Sequence, residues 1–351
     1  MIDHEIYMQR CIELAQLGAG NVAPNPMVGA ALVYNGKIIG EGYHQKFGEP
    51  HAEVNCIASV QEPDRYLIKN CTLYVSLEPC AHFGKTPPCA DLIIKQQIQH
   101  VVIGCRDTFE KVNGAGISKL IAAGIKVEVG ILEDECIELN KRFFTFHQKK
   151  RPYIILKWAQ SSDGFIAGED LKKSKISNPY TDRLTHKWRS QEGAILVGSN
   201  TIKTDNPNLT TRNWIGKNPV RIVIDETLKM AVDANVFNLD ADTIIINRIL
   251  SAVEGNVEFY KINKQQSAVE AVLACLYKRQ INSVIIEGGT KTLQFFIDTG
   301  FWDEARIITN NALFIYKGVN APLFQDNKIL SSNNIFNDRI DFFLNNNNDS
   351  L

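Results

Sequence analysis

Apolar residues recur at Met8, Cys11, Ile12 and Ala15, the spacing of one face of a helix. A Gly/Asn/Pro-rich loop from Gly18 to Pro26 follows, and then an unbroken apolar run, Val28–Tyr34, which reads as a strand. Asn35-Gly36 supplies the pair of positive-φ residues that a two-residue hairpin needs, and Lys37–Gly40 returns as its partner. Ala52–Val60, Ala90–Gln97 and Ile117–Ala123 carry helical periodicity, while Leu73–Ser76, Val101–Gly104 and Val127–Ile131 read as strands. A hairpin followed by β/α alternation predicts a mixed sheet covered by helices.

The stretch Phe143–Pro152 turns basic and polar, and a domain junction is expected there. A second alternation then begins, with strands expected at Tyr153–Trp158, Ala194–Val197, Arg221–Ile224, Thr243–Ile246, Ser283–Ile286 and Ala305–Thr309. Helices read best at Thr181–Ser190, Ser267–Lys278 and Thr290–Asp298. The fold class is therefore α/β in both halves, divided as 1–147 and 148–344, with an Asn-rich tail, 345–351, expected to be frayed. The halves do not resemble each other, and there is no internal repeat.

Composition narrows the function. With 351 residues, and domains commonly of roughly 100–200, two domains fit better than one. Lys and Arg total 38 against 39 Asp and Glu, so no basic surplus invites a long nucleic acid, although one local basic pocket for a small anion is not excluded. The start, Met1-Ile2-Asp3-His4-Glu5, lacks the basic flank and apolar run of a signal peptide, and no apolar stretch is long enough to span a bilayer. A cytoplasmic protein without membrane partners is expected. Its eight cysteines should then be mostly buried apolar residues, apart from any grouped as metal ligands.

One such group stands out. His51-Ala52-Glu53 is followed by Pro79-Cys80 and, after eight intervening residues, by Cys89. One imidazole and two thiolates give zinc three protein ligands and leave the fourth tetrahedral position open for water, which is the catalytic arrangement. Glu53 can reach that position without ligating, and so can carry protons to the ring and to the departing amine. His-x-Glu with Pro-Cys-x-x-Cys is the signature of zinc nucleobase deaminases, and the longer spacing between the cysteines here departs from it. His82 could compete as a ligand but is assigned to substrate.

Pro24-Asn25-Pro26-Met27-Val28-Gly29-Ala30, His51-Ala52-Glu53 and Leu77-Glu78-Pro79-Cys80 through Thr86-Pro87-Pro88-Cys89 together resemble the deaminase half of the bifunctional riboflavin-biosynthesis deaminase/reductases. The long loop between the cysteines is that family's own variant. The resemblance implies a cytidine-deaminase-like domain joined to a dihydrofolate-reductase-like one, with one Zn2+ per chain, NADPH and a homo-oligomeric assembly. It implies His51, Cys80 and Cys89 as zinc ligands, Glu53 as proton shuttle, and Asn25, His44, His82, Lys85 and Thr86 around the pyrimidine and ribose phosphate.

In the second half, Ile286-Glu287-Gly288-Gly289-Thr290 reads as a strand, a Gly-Gly turn and a helix start. This is either an approach for dinucleotide phosphates or an ordinary tight turn. Ser161-Ser162-Asp163-Gly164 alone reads as a turn with a capping aspartate. The same family resemblance runs through Lys157–Gly164, Gly193–Gly198, Thr201–Leu209 and Glu287–Gly289. It implies cofactor contacts from Ala159, Thr201, Asp205, Gly289, Thr290, Lys291, Thr292, Leu293 and Gln294, and contacts to the ribosyl substrate from Arg189, Leu209, Arg212 and Glu287. Arginine forks match phosphate oxygens, which suits Arg189 and Arg212. Lys175 stands where the family commonly has tryptophan, so one stacking contact to the cofactor is missing; Ser162 replaces a usual leucine.

The expected activity is zinc-dependent hydrolytic deamination of 2,5-diamino-6-ribosylamino-4(3H)-pyrimidinone 5′-phosphate, then NADPH reduction of its ribosyl to a ribityl chain. The rivals are a nucleic-acid-editing deaminase, which the neutral charge balance disfavours, a zinc-stabilised sensor without turnover, and a chain with only one working half.

Overall fold

A computed structural model of the chain describes residues 4–83, 87–107, 114–169, 175–324 and 328–345. It divides into two compact units, Met1–Lys150 and Arg151–Leu351. Among the described residues, no helix is long and apolar enough to cross a membrane.

The first unit runs α1 (His4–Gln16), β1 (Gly29–Tyr34), β2 (Lys37–Tyr43), α2 (Ala52–Ser59), β3 (Thr72–Leu77), α3 (Cys89–Lys95), β4 (His100–Cys105), α4 (Ala115–Ala122), β5 (Lys126–Val129), α5 (Glu133–Leu139) and α6 (Lys141–Lys149). Its sheet has the order β2-β1-β3-β4-β5. The β1–β2 and β1–β3 pairs are antiparallel, whereas β3–β4 and β4–β5 are parallel, as expected of a hairpin followed by β/α alternation. Asn35 and Gly36 both adopt positive φ at the hairpin turn. One sheet face packs Leu32, Leu73, Val75 and Val101 under α2, α3 and α4; the other packs Ala31, Tyr74 and Val102 against α1 and α5.

The second unit contains β6 (Tyr153–Ser161), β7 (Phe165–Gly168), α7 (Pro179–Gln191), β8 (Ala194–Gly198), α8 (Ser199–Asp205), β9 (Val220–Ile224), β10 (Thr243–Asn247), β11 (Ala252–Glu254), β12 (Val257–Lys261), α9 (Ala268–Lys278), β13 (Ser283–Ile286), α10 (Thr290–Asp298), β14 (Glu304–Asn310), β15 (Gly318–Asn320), β16 (Ile329–Ile335) and β17 (Asp338–Leu344). Its main sheet has the order β11-β12-β10-β9-β8-β13-β6-β14-β17-β16, parallel from β12 to β14 and antiparallel at both margins. Its central strands are mostly apolar on both sides because both faces are covered. Ile154 and Leu156 of β6 point into one core with Leu196 and Ile286, while Tyr153 and Ile155 point into the other with Ile195 and Ile285.

The division between the units falls within Phe143–Pro152, at 150/151, three residues past the expected 147/148. Helix α6 runs through that stretch to Lys149, with Phe143, Phe144 and Phe146 buried in the first unit. Arg151 is already buried in the second, where its guanidinium holds Asp303 at 2.6 and 2.7 Å. The basic letters are one face of a helix whose opposite face is phenylalanine. Asn345, assigned to the frayed tail, is buried, and its amide donates to the carbonyls of Gly300 and Trp302. The rest of that tail lies outside the described residues.

Candidate active sites

In the first unit two helix starts and one strand end converge. His51 immediately precedes α2, Cys80 follows β3 across Pro79, and Cys89 opens α3 behind Pro88. The His51 Nδ1 lies 3.6 Å from the Cys80 Sγ and 3.3 Å from the Cys89 Sγ, and all three donor atoms fall within 4.8 Å of one another. Zinc with Zn–N near 2.05 Å and Zn–S near 2.3 Å at tetrahedral angles needs N···S edges of about 3.6 Å, so the donor set fits that ion. Among the described residues this is the one such group, and His82, which is exposed, is not part of it.

The surroundings favour thiolate. The backbone N–H of Cys89 donates to the Cys80 sulfur at 3.3 Å. Hydrogen bonding with Cys89, and then with His51, holds the Cys80 thiol well below its ordinary value. Glu53, in the first turn of α2, is only 3% exposed. Burial, and next the Cys80 charge, push its carboxyl above the usual carboxylate range, and it hydrogen-bonds with Cys89. A carboxyl so placed can both accept and return a proton.

Asn25 and His44 are brought to the same place. The Asn25 amide nitrogen is 3.3 Å from the His44 Nε2, and the His44 ring stands edge-on to that of His51 with centroids 5.3 Å apart. The His44 Nδ1 faces the Pro50 carbonyl at 3.1 Å, so its proton sits there and Nε2 accepts from Asn25. Burial lowers the His44 pKa and keeps the ring neutral. Lys85 and Thr86 lie outside the described residues.

Glu78 is a residue the motif reading passed over. It is 4% exposed and accepts four backbone N–H groups, from Asp107, Gly114, Gly116 and Ile117, at 2.9–3.2 Å. It thereby ties the loop bearing Pro79-Cys80 to the start of α4. The contact is so close that a Cβ on Gly116 would lie 1.9 Å from the Pro79 carbonyl oxygen. Its place two residues before Cys80 was the only signal in the sequence.

In the second unit Glu287, just past β13, takes the Arg189 fork at 2.7 and 2.8 Å, and Lys157 of β6 adds its ammonium at 3.3 Å. Burial opposes ionisation, but Arg189 and then Lys157 outweigh it and hold the Glu287 carboxyl at about 2. Arg189, expected to meet phosphate, is thus already engaged by a carboxylate, and Lys157, passed over as a site residue, joins it. Arg212 is exposed, with no carboxylate partner among the described residues; desolvation and the neighbouring Arg189 charge lower its pKa.

The Gly288-Gly289 turn leads into α10, and the Gly289 N–H donates to the Thr201 hydroxyl at 3.2 Å. The first-turn N–H groups at Thr290 and Lys291 form a helix N-terminus of the kind that receives a dinucleotide phosphate, so this turn fits such a cofactor. Ala159 sits half-buried on β6, and Asp205 is exposed at the end of α8. Leu293 and Leu209 are 0% and 3% exposed in the two cores, so they can offer a ligand only backbone. The Gln294 side chain is spent on Asp298 and the Leu323 N–H. Asp163 holds the N–H groups of Ile315 and Tyr316 as a turn aspartate does. Lys175 is 64% exposed and pairs with Asp182 at 3.1 Å.

Residues 1–105 match the profile of the cytidine and deoxycytidylate deaminase zinc-binding region, and residues 152–332 match that of the RibD C-terminal domain. The riboflavin biosynthesis protein RibD of Aquifex aeolicus is 40% identical over 308 residues, covering 85% of this chain and 84% of that one. That of Escherichia coli is 34% identical over 318 residues, covering 86% and 85%. A Thermotoga maritima diaminohydroxyphosphoribosylaminopyrimidine deaminase/5-amino-6-(5-phosphoribosylamino)uracil reductase superposes with a TM-score of 0.89 at 36% identity, over 97% of this chain and 98% of that one. With a cytidine-deaminase-like first unit and a dihydrofolate-reductase-like second, the chain belongs to the RibD family of bifunctional riboflavin-biosynthesis deaminase/reductases.

Proposed function

We propose that this chain performs two successive steps of riboflavin synthesis. The first removes the 2-amino group of 2,5-diamino-6-ribosylamino-4(3H)-pyrimidinone 5′-phosphate by hydrolysis; the second reduces the ribosyl unit to ribityl. Zn2+ and NADPH are the cofactors. The observation that carries the reading is the convergence of His51, Cys80 and Cys89 on one point beside buried Glu53.

Zinc held by the His51 Nδ1 and the two sulfurs supplies a Lewis acid that makes water nucleophilic near neutral pH. Glu53, protonated more readily than an ordinary carboxyl, would take one proton from the attacking water and give it to a ring nitrogen, then take the second from the hydroxyl added to the ring carbon and give it to the amine, which leaves as ammonia. Asn25 and neutral His44 present an amide and an imidazole to the pyrimidine on the same side as His51. The family resemblance assigns His82, with Lys85 and Thr86 outside the described residues, to the ribose phosphate.

In the second unit, NADPH supplies the hydride. Gly289 through Gln294, with Ala159, Thr201 and Asp205, hold the dinucleotide; Leu293 contributes backbone, and Lys175 itself brings no ring to stack on it. Arg212 meets the substrate phosphate, Glu287 fixes Arg189 and Lys157, and Leu209, buried in the core, offers the substrate only backbone. Reduction also consumes a proton, and in this reading the Lys157 ammonium beside Glu287 gives it. The protein works in the cytoplasm as a homo-oligomer, and sedimentation of the zinc-loaded chain checks the assembly.

Glu53→Gln should keep about one zinc per chain, because it removes no ligand, yet release no ammonia. The same variant should still oxidise NADPH when given substrate that is already deaminated. Full deamination by Glu53→Gln would overturn the assignment.

A further inference from the structure

Segment 210–218, between α8 and β9, is laid along helix α7 and fastened to it over nearly two turns. The Arg212 backbone N–H donates to the His186 Nδ1 at 3.1 Å. The Arg189 Nη1 donates to the Thr210 carbonyl at 3.3 Å. Trp214 lies under both the Arg183 guanidinium and the Lys187 ammonium, 5.3 and 5.4 Å from the ring centre. Gly216 is pressed so closely on the helix that a Cβ there would come 2.6 Å from that of Ser190. Within the segment, Thr211 is bonded through its N–H to the Asn218 side chain and through its hydroxyl to the Lys217 carbonyl. Residues 183, 186, 187, 189 and 190 of one helix thus all face this one segment.

We propose that His186 is a positioning residue for the reductase substrate: its Nδ1 anchors the backbone of Arg212 and so aims that guanidinium at the substrate phosphate. This rests on the phosphate role given to Arg212 above. His186 is 5% exposed. Only a neutral imidazole has a bare nitrogen to accept an N–H. Burial, and then the Arg189 and Arg212 charges, hold the His186 pKa at about 4, with Glu287 opposing them, so the accepting form prevails at neutral pH.

The arrangement explains why an anchor is needed. Arg189 spends its fork on Glu287, whereas among the described residues the Arg212 guanidinium has the Thr210 hydroxyl, at 3.1 Å, as its one hydrogen-bond partner. Two like charges side by side repel, so Arg212 would swing towards solvent unless its backbone were fixed. An anchored Arg212 meets the phosphate without first losing that freedom, and the benefit appears as substrate affinity.

The test uses the full chain loaded with zinc, 5-amino-6-(5-phosphoribosylamino)uracil and NADPH, with His186→Leu, His186→Asn and Arg212→Gln. Losing the anchor in His186→Leu should raise KM for the ribosyl phosphate on the order of tenfold, with kcat, KM for NADPH and ammonia release by the other unit little changed. His186→Asn keeps an acceptor oxygen near the Nδ1 position and should restore KM to within about threefold. A parent-like KM in His186→Leu while Arg212→Gln is impaired would overturn the inference. So would equal impairment of the asparagine and leucine variants, and His186→Asn decides by itself if the leucine variant fails to fold. An unimpaired Arg212→Gln would instead remove the phosphate role on which the inference stands.

Discussion

The buried trio of Glu287, Arg189 and Lys157 makes a quantitative claim about the second unit. Glu287 is held at about 2 against an ordinary 4.5, which corresponds to roughly 3 kcal/mol of preference for the folded state. Because the folded pKa is the lower one, this contribution is complete above about pH 4.5 and is lost as pH falls towards 2. Glu287→Gln removes it and also leaves the Arg189 side chain, only 13% exposed, as an uncompensated buried charge. A loss of about 3 kcal/mol at pH 7 is expected, and the gap to the parent should narrow by roughly 1.4 kcal/mol at pH 3.5. A cycle with Arg189→Gln and the double variant should give a coupling on the order of 2–3 kcal/mol, since the two groups share two hydrogen bonds. Urea unfolding followed by tryptophan fluorescence reads the right unit, because all four tryptophans (158, 188, 214 and 302) belong to it. A coupling below about 0.5 kcal/mol, or a gap independent of pH, would refute the reasoning.

Two further outcomes follow from the first unit. Cys89→Ser replaces a thiolate ligand and should drop zinc content from about one per chain to near zero, as metal analysis after dialysis would show, while NADPH oxidation on deaminated substrate persists. Gly116→Ala would drive a Cβ into the Pro79 carbonyl, shifting the Cys80 loop; destabilisation of about 1–3 kcal/mol and faster loss of zinc to a chelator are expected, and unchanged zinc retention would count against the anchoring role of Glu78.

The metal site was legible because zinc chemistry needs particular letters at particular places: His51, Cys80 and Cys89 are far apart in sequence, yet each borders an element whose periodicity was plain. The central strands of both sheets were legible as unbroken apolar runs. What escaped was decided by tertiary context. β16 is exposed along most of its length and so carries no apolar pattern, being identified only by its pairing with β17. Helix α6 hid behind its basic face, because the phenylalanines that bury it are few. In the reductase site, the letters could nominate Arg189 and Arg212 equally. The fold separates them by giving Glu287 to one and leaving the other without a carboxylate, and no spacing in the sequence encodes that choice.

The central claim is that one chain carries both activities, and product mass tests it most directly. The zinc-loaded protein is incubated with the diaminopyrimidine ribosyl phosphate, first alone and then with NADPH. Deamination replaces an NH by O and should add about one dalton, with ammonia released. NADPH should then add about two more, for a hydride and a proton. Both increments are the expected result. An unchanged substrate mass, with zinc verified at one per chain, would contradict the account.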